Sequence, residues 1–318
     1  MRDGALIHRG YDAYMSVFLQ RGLYMEFDRR DFLRIAGIGG VVFVSGLAGC
    51  TATGSTGADF YFIQLTDIHW GFNNPQINPQ GEDTLPRVIA AVNSLEVQPD
   101  FVVFTGDLTQ TTDDRNVRRA RLASFREHAG KLKVRDVRYM PGEHDAALDR
   151  GEAYAELFGS QFHSSFDHKG VHFIMLDNVT DPRVFLGDTQ LGWLRDDLAR
   201  IDKDQRVIVL VHRPLFDLAP DWDWTTKDGA KAIELLMPYR NVTVFYGHIH
   251  HEHHHRTGHI EHHAAMSTMF PLAPLGTVEK KTQVRWDAAS PFKGLGYRRV
   301  TGRAAAAPSM VELPLLKS

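Results

Sequence analysis

The sequence predicts an α/β fold, in which strands carry the core and helices pack on them. Short apolar runs of strand character alternate with segments of helical period. Run after run ends on an Asp, Glu or His, as in sheets that deliver polar groups to loops at one edge. The chain has 318 residues, 43 % of them hydrophobic, enough for one large domain rather than two.

Residues 61–65 form an apolar strand that stops at Thr66-Asp67. Leu85, Val88, Ile89, Val92 and Leu95 recur at helical spacing. Residues 101–104 are a second strand, ending at Gly106-Asp107, and residues 113–128 read as a charged helix with its arginines on a solvated face. Residues 137–140 lead into Gly142. Runs 164–167 and 171–176 flank His168-Lys169-Gly170, a hairpin signal. Leu191, Leu194, Leu198 and Ile201 mark a helix that Asp188 is placed to cap. Residues 207–211 are a buried strand delivering His212; 230–237 are helical; 242–246 are the strand before Gly247. Residues 251–269 alternate weakly, as in a further hairpin. From Pro271 onward the signal fades, and 304–308 reads as a loose segment. The expected organisation is an extension and signal over 1–50, a tether over 51–58, one folded domain over 59–301 and a tail over 302–318.

The net charge of −3 gives no basic surface for nucleic acid. The single cysteine, Cys50, excludes an intramolecular disulfide and a cysteine metal site. Metal chemistry in this chain must use imidazole and carboxylate. The N-terminal stretch Arg29-Arg30-Asp31-Phe32-Leu33 precedes an apolar run over 35–49, too short to span a bilayer. It resembles a twin-arginine (Tat) signal, which implies the Tat export machinery as a partner. The run ends in Leu47-Ala48-Gly49-Cys50, which resembles a lipobox, so lipidation of Cys50 is expected to hold the exported protein at the membrane. An incidental cysteine in a plain cleaved signal is the alternative. Translation starting at Met25 rather than Met1 would give this signal a compact basic head.

Five short motifs carry the chemistry: Asp67-Ile68-His69, Gly106-Asp107, Gly142-Glu143-His144-Asp145, His212 and Gly247-His248-Ile249-His250. Asp-x-His or Gly-Asp alone is a weak signal; all five in order, most of them just after an apolar strand, are strong together. A two-metal hydrolytic site holds its ions about 3.5–4 Å apart, bridged by a carboxylate, with imidazole or oxygen completing each set. In such sites a metal-bound hydroxide attacks phosphorus in line, and the metals stabilise charge on the phosphoryl oxygens.

The five motifs resemble those of the calcineurin-like metallophosphoesterases, over about two thirds of the chain, from Phe60 to His263. The resemblance implies a four-layer αββα sandwich: two central mixed β-sheets flanked by helices, with a binuclear metal site at the sheet edge. It also implies that Asp67, His69 and His250 hold one metal, that Asp107 bridges, and that Glu143, His212 and His248 hold the other. His144 would face the leaving group or the phosphoryl oxygens, with Asp145 orienting and charging its imidazole. The implied cofactors are two divalent ions, Mn, Fe or Zn. The implied substrate is a small-molecule or envelope phosphoester.

Glu143 departs from that pattern, which has asparagine there. A carboxylate adds a negative charge, and this predicts a preference for diester monoanions over monoester dianions. Fe(III) in one position would restore the charge. The alternatives are a ligand with no effect on preference, leaving a phosphomonoesterase open, or a crippled second site. Purple acid phosphatases carry a tyrosine shortly after the bridging aspartate; Gln110 lies in that stretch here, which argues against a tyrosinate centre. The tract His251, His253, His254, His255, His259, His262 and His263 reads as a polar hairpin beside the site. The competing reading is an exported metal-binding lipoprotein with vestigial hydrolysis. Trp222 and Trp224 are expected to pack the domain rather than wall a substrate pocket, the loop 71–80 to be a solvated loop rather than a substrate contact, and Arg213 to be exposed rather than to touch phosphate.

Overall fold

The computed structural model describes residues 42–43 and 59–315. The signal, the lipobox with Cys50 and the tether otherwise lie outside the described residues. Two six-stranded mixed sheets form the centre. The first has the order β1-β12-β11-β2-β3-β4, from β1 (Val42–Phe43), β2 (Phe60–Leu65), β3 (Phe101–Thr105), β4 (Val137–Met140), β11 (Gly296–Arg303) and β12 (Ala306–Pro314). The second has the order β5-β6-β7-β8-β10-β9, from β5 (Ser164–His168), β6 (Val171–Leu176), β7 (Arg206–Val211), β8 (Asn241–Tyr246), β9 (His253–Thr257) and β10 (Ile260–Ala264).

Alternation along the strands explains the layering. Phe62, Phe101, Val103 and Val300 of one sheet pack against Phe173, Ile208, Leu210 and Phe245 of the other. The opposite face of the first sheet, with Ile63, Leu65, Val102 and Phe104, is covered by α1 (Gly81–Asn93), α2 (Arg115–Ala129) and α4 (Glu152–Phe158). The opposite face of the second, with Val207, Val209 and Val244, is covered by α5 (Gly187–Leu198) and α6 (Gly229–Leu236). The result is the four-layer αββα arrangement. Strands β2, β3 and β4 run parallel, as do β6, β7 and β8, so their carboxyl ends present successive loops on common edges.

Four sequence expectations are corrected. Helix α5 is not capped by Asp188; the Asp228 carboxylate accepts from Leu186 N at 2.8 Å and Gly187 N at 2.9 Å, from another loop. The arginine row of α2 is not simply solvated. Arg118 is buried and pairs with Asp149 at 2.6 Å, while Arg119 reaches Glu152 and Glu156 on α4. The segment over 302–314, expected as a tail with a loose 304–308, instead turns into β12 and pairs antiparallel with β11. The pattern was masked because the strand hides charge. Arg298 is fully buried, ion-paired to Glu312, and donates to His263 O across the inter-sheet space at 3.0 Å. Finally, Arg213, expected to be exposed, is buried.

Candidate metal centre

Each of the five motifs sits where a strand ends. Asp67 and His69 follow β2, Asp107 follows β3, Glu143 opens the short helix α3 (Glu143–Ala146) after β4, His212 follows β7, and His248 and His250 follow β8. Asp67, His69, Asp107, His248 and His250 all have positive φ, between 44° and 67°, unusual for residues with a Cβ. The surrounding loops hold these conformations in place: Asp67 N donates to Gly106 O at 3.1 Å, His69 N to Asp107 O at 2.9 Å, and His248 N to the Asp67 carboxylate at 3.0 Å. Glycine is required at Gly142, because a Cβ there would collide with the Asp107 carboxylate.

The side chains converge into two clusters that share Asp107: Asp67, His69, Asp107 and His250, and Asp107, Glu143, His212 and His248. Asp107 Oδ2 lies 3.5 Å from His69 Nε2 in one and 3.5 Å from His212 Nε2 in the other, the position of a bridging oxygen. Each of the four imidazoles has its outer nitrogen on an oxygen acceptor. His69 Nδ1 meets Gln110 Oε1 at 3.1 Å, His212 Nδ1 meets Thr105 O at 2.8 Å, His248 Nε2 meets Asp223 O at 2.9 Å, and His250 Nδ1 meets Phe270 O at 2.7 Å. An acceptor oxygen fixes the proton on that nitrogen, so the inner nitrogen turns a lone pair to the cluster.

Two observations show that this donor set fits metal ions. His69 Nε2 and His250 Nε2 face each other at 3.1 Å with both protons held on the far side, an arrangement a cation relieves. His212 Nε2 faces Glu143 Oε2 and His248 Nδ1 faces Glu143 Oε1, each at 2.9 Å; with the ring protons on the outer nitrogens these buried atoms meet acceptor to acceptor and make no hydrogen bond. Buried polar atoms without partners are costly.

Electrostatics bind the set together. Burial alone would raise the Glu143 carboxyl, but His248, Arg213 and His212 hold it well below the ordinary range. Burial would lower His212, but Asp107 and Glu143 raise it well above its ordinary value, so that without an ion a proton on Nε2 stands where the cation would. For His69 burial prevails, pushing it down to about 3. Arg213 is the counter-charge: its Nη2 lies 3.5 Å from Glu143 Oε1, and its Nη1 lies 2.6 Å from Asp223 Oδ2.

His144 stands at the edge shared by the clusters, with Nε2 3.9 Å from Asp107 Oδ2. Its Nδ1 accepts from Thr111 N at 3.2 Å, which leaves the ring proton on Nε2, facing the cleft. The expectation that Asp145 orients His144 is overturned. The Asp145 carboxylate turns away and accepts from Leu108 N, Thr109 N and Gly142 N at 2.8–2.9 Å, and from the Thr109 hydroxyl. It staples the Asp107 loop to α3. Burial and then the Asp107 charge push this carboxyl up to about 7, against those donors.

The sequence missed several parts of the site. Gln110 anchors His69, and Asp223 anchors both His248 and Arg213. Residues 271–286 fold back as a flap: Ala273 N donates to Thr282 O and Val284 N to Pro271 O, and Trp286 N ties the flap to Gln76 O. With Gln76 and Ile77 of the 71–80 loop, Lys281 and Arg285 of this flap line a cleft of about 540 Å³ over the clusters. Trp224 packs in the core, edge-on to Trp222. The histidine tract is the β9–β10 hairpin, and its side chains are engaged locally: His253 with the Tyr246 hydroxyl, His255 stacked on Phe216, His254 on His263. Among the described residues it forms no third ligand cluster.

The family model of calcineurin-like phosphoesterases matches residues 60–252. The chain belongs to this family. It is 26 % identical over 196 residues to a 3',5'-cyclic-nucleotide phosphodiesterase of Nostoc sp., covering 59 % of this chain and 71 % of the relative. It is 35 % identical over 94 residues to purple acid phosphatase 22 of Arabidopsis thaliana, a match that covers 29 % of this chain and only 21 % of that protein's length. The fold matches a dimetal phosphatase from Danio rerio with a TM-score of 0.55 at 16 % identity, over 81 % of this chain and 99 % of that one.

Proposed function

We propose that this protein is a metal-dependent phosphodiesterase acting on small organic phosphodiesters. The observation that carries the reading is the pair of clusters joined at Asp107 Oδ2, with every imidazole anchored so that its free nitrogen faces inward. Asp67, His69 and His250 would hold one divalent ion, and Glu143, His212 and His248 the other, with Asp107 shared. Mn, Fe or Zn suits this imidazole and carboxylate set. When bound, the ions would supply charge against the phosphoryl oxygens and lower the pKa of the attacking water. His144 holds a proton on Nε2 at the cleft, available to the leaving oxygen, and the Thr111 N–H keeps it on that nitrogen.

The diester preference draws support from Glu143 and from how Arg213 is spent. Arg213 is turned to Glu143 and Asp223, so its guanidinium is not free to clamp a phosphoryl dianion. The name of the Nostoc relative points the same way. The Tat-like and lipobox-like N-terminus supports an exported, Cys50-anchored enzyme, which would meet its substrate outside the cytoplasm.

The test is metal analysis of purified protein, followed by turnover of matched mono- and diesters. Two metals per chain and a higher kcat/KM on the diester are expected. No turnover on any phosphoester with both metals bound would sink the enzyme reading; faster monoester turnover would sink the diester preference.

A further inference from the structure

Beside the metal cleft lies a second cavity of about 480 Å³. Ile77, Leu272 and Arg285 line both spaces, so the two meet at a common wall. The second cavity is built by the flap and the segments flanking it, with Met266, Met269, Pro271, Pro274, Trp286 and Pro291 on its walls. The metal chemistry makes no use of it.

Its lining favours one kind of occupant. Proline and indole faces stack on flat rings, and thioethers pack well against ring edges. The charged lining residues cancel formally, Glu252 and Asp287 against Arg285 and Lys293, so no net charge is called for. Cavities of this size, mostly apolar with a few polar groups, bind drug-sized organic groups. A phosphodiester has two ester groups, and a phosphorus held at the clusters can send one of them across the shared wall.

We propose that this cavity is the subsite for the ester group that stays on phosphorus, opposite the leaving group, and that this group is an uncharged aromatic ring. The inference rests on the phosphodiesterase reading and names the substrate class of that same site. Placing it there makes the flap a specificity element. Its hydrogen bond from Trp286 N to Gln76 O, at 3.0 Å, joins the two loops that form the shared wall.

The test uses the metal-loaded full-length protein and methyl, n-hexyl and phenyl esters of p-nitrophenyl phosphate, which share one leaving group. The phenyl ester should exceed the methyl ester in kcat/KM by roughly 10- to 100-fold, mostly through KM, and should also exceed the hexyl ester. Trp286→Ala should collapse the phenyl-to-methyl ratio. Val284→Asp puts a charge into the same wall at a side chain already 41 % exposed, where the fold tolerates it, and should do likewise. Equal kcat/KM for phenyl and methyl esters, a hexyl ester that wins, or a ratio unmoved in the folded variants overturns the proposal. Turnover of none of the three would instead remove the phosphodiesterase reading. Calorimetric binding of phenyl methylphosphonate against ethyl methylphosphonate would then still decide the subsite, equal affinities counting against it.

Discussion

In the first cluster, Asp67, His69 and His250 are deeply buried at the floor of the cleft, with side chains 4 % exposed or less. In the second, His212 and His248 are as deeply buried, but Glu143 keeps 18 % exposure and opens on the cleft. The first contains no cationic side chain other than imidazole. The second brings a buried guanidinium to its carboxylate. Glu143 read from sequence is one uncompensated negative charge; in the fold, Arg213 offsets part of it, while Asp223 on the far side draws on the same guanidinium. The carboxylate at position 143 is therefore accompanied by a counter-ion, and the two clusters should respond differently to the same kind of damage.

The largest effect is expected where they join. Asp107→Asn weakens the bridge to both clusters at once. Losing metal assistance forfeits several kcal/mol of transition-state stabilisation, so kcat should fall by about 1000-fold or more. Metal analysis should show both ions depleted. Depletion of one alone would mean that the clusters are independent despite the shared oxygen.

Next is the counter-ion. Arg213→Met leaves Glu143 buried beside Asp107 with only the His212 and His248 imidazoles against it; removal of one member of a buried pair costs up to about 3–5 kcal/mol. Chemical unfolding of the metal-free protein should show that loss. Glu143→Asn combined with Arg213→Met should recover much of it, because the stranded charge is gone. Additive losses would refute the pairing. In the metal-loaded enzyme, Glu143→Asn should shift preference toward monoesters and Arg213→Met toward diesters, each by a few-fold at this partly screened site.

The same contrast shows what was legible beforehand. The ligand positions were readable because each lies at a strand end, where chain direction alone brings it to the edge. The direction of a side chain there was not. Asp145 adjoins His144 in sequence, yet its carboxylate is claimed by the backbone of Leu108 and Thr109, which only the tertiary fold brings near. Arg213 read as exposed because nothing beside it in sequence signals that Glu143 and Asp223 enclose it. Strands β11 and β12 escaped notice because Arg298 and Glu312 stand at core positions, where binary patterning expects apolar residues.

His144 lies against the first cluster's His69, ring to edge, with centroids 4.6 Å apart. His144→Asn should lower kcat by about 100-fold on a diester with an alkoxide leaving group, the range for a lost general acid. With p-nitrophenolate, which leaves without a proton, the loss should be much smaller. Equal losses on both substrates would assign His144 to phosphoryl binding instead.

The smallest and most selective effect concerns Gln110. Its Oε1 fixes the outer proton of His69, whereas the other three imidazoles are fixed by main-chain carbonyls that no substitution removes. The first cluster thus has the one replaceable anchor. Gln110→Leu keeps the side chain's bulk and frees the His69 tautomer. Loss of such an anchor costs about 10-fold or more in metal affinity. Calorimetric titration should show one of the two metal sites weakened by that factor and the other unchanged. The weakened site should be the one that Asp67→Asn abolishes, not the one that Glu143→Gln impairs. Equal weakening of both sites would mean that ring orientation at His69 is transmitted through Asp107, and the clusters would then have to be treated as one unit.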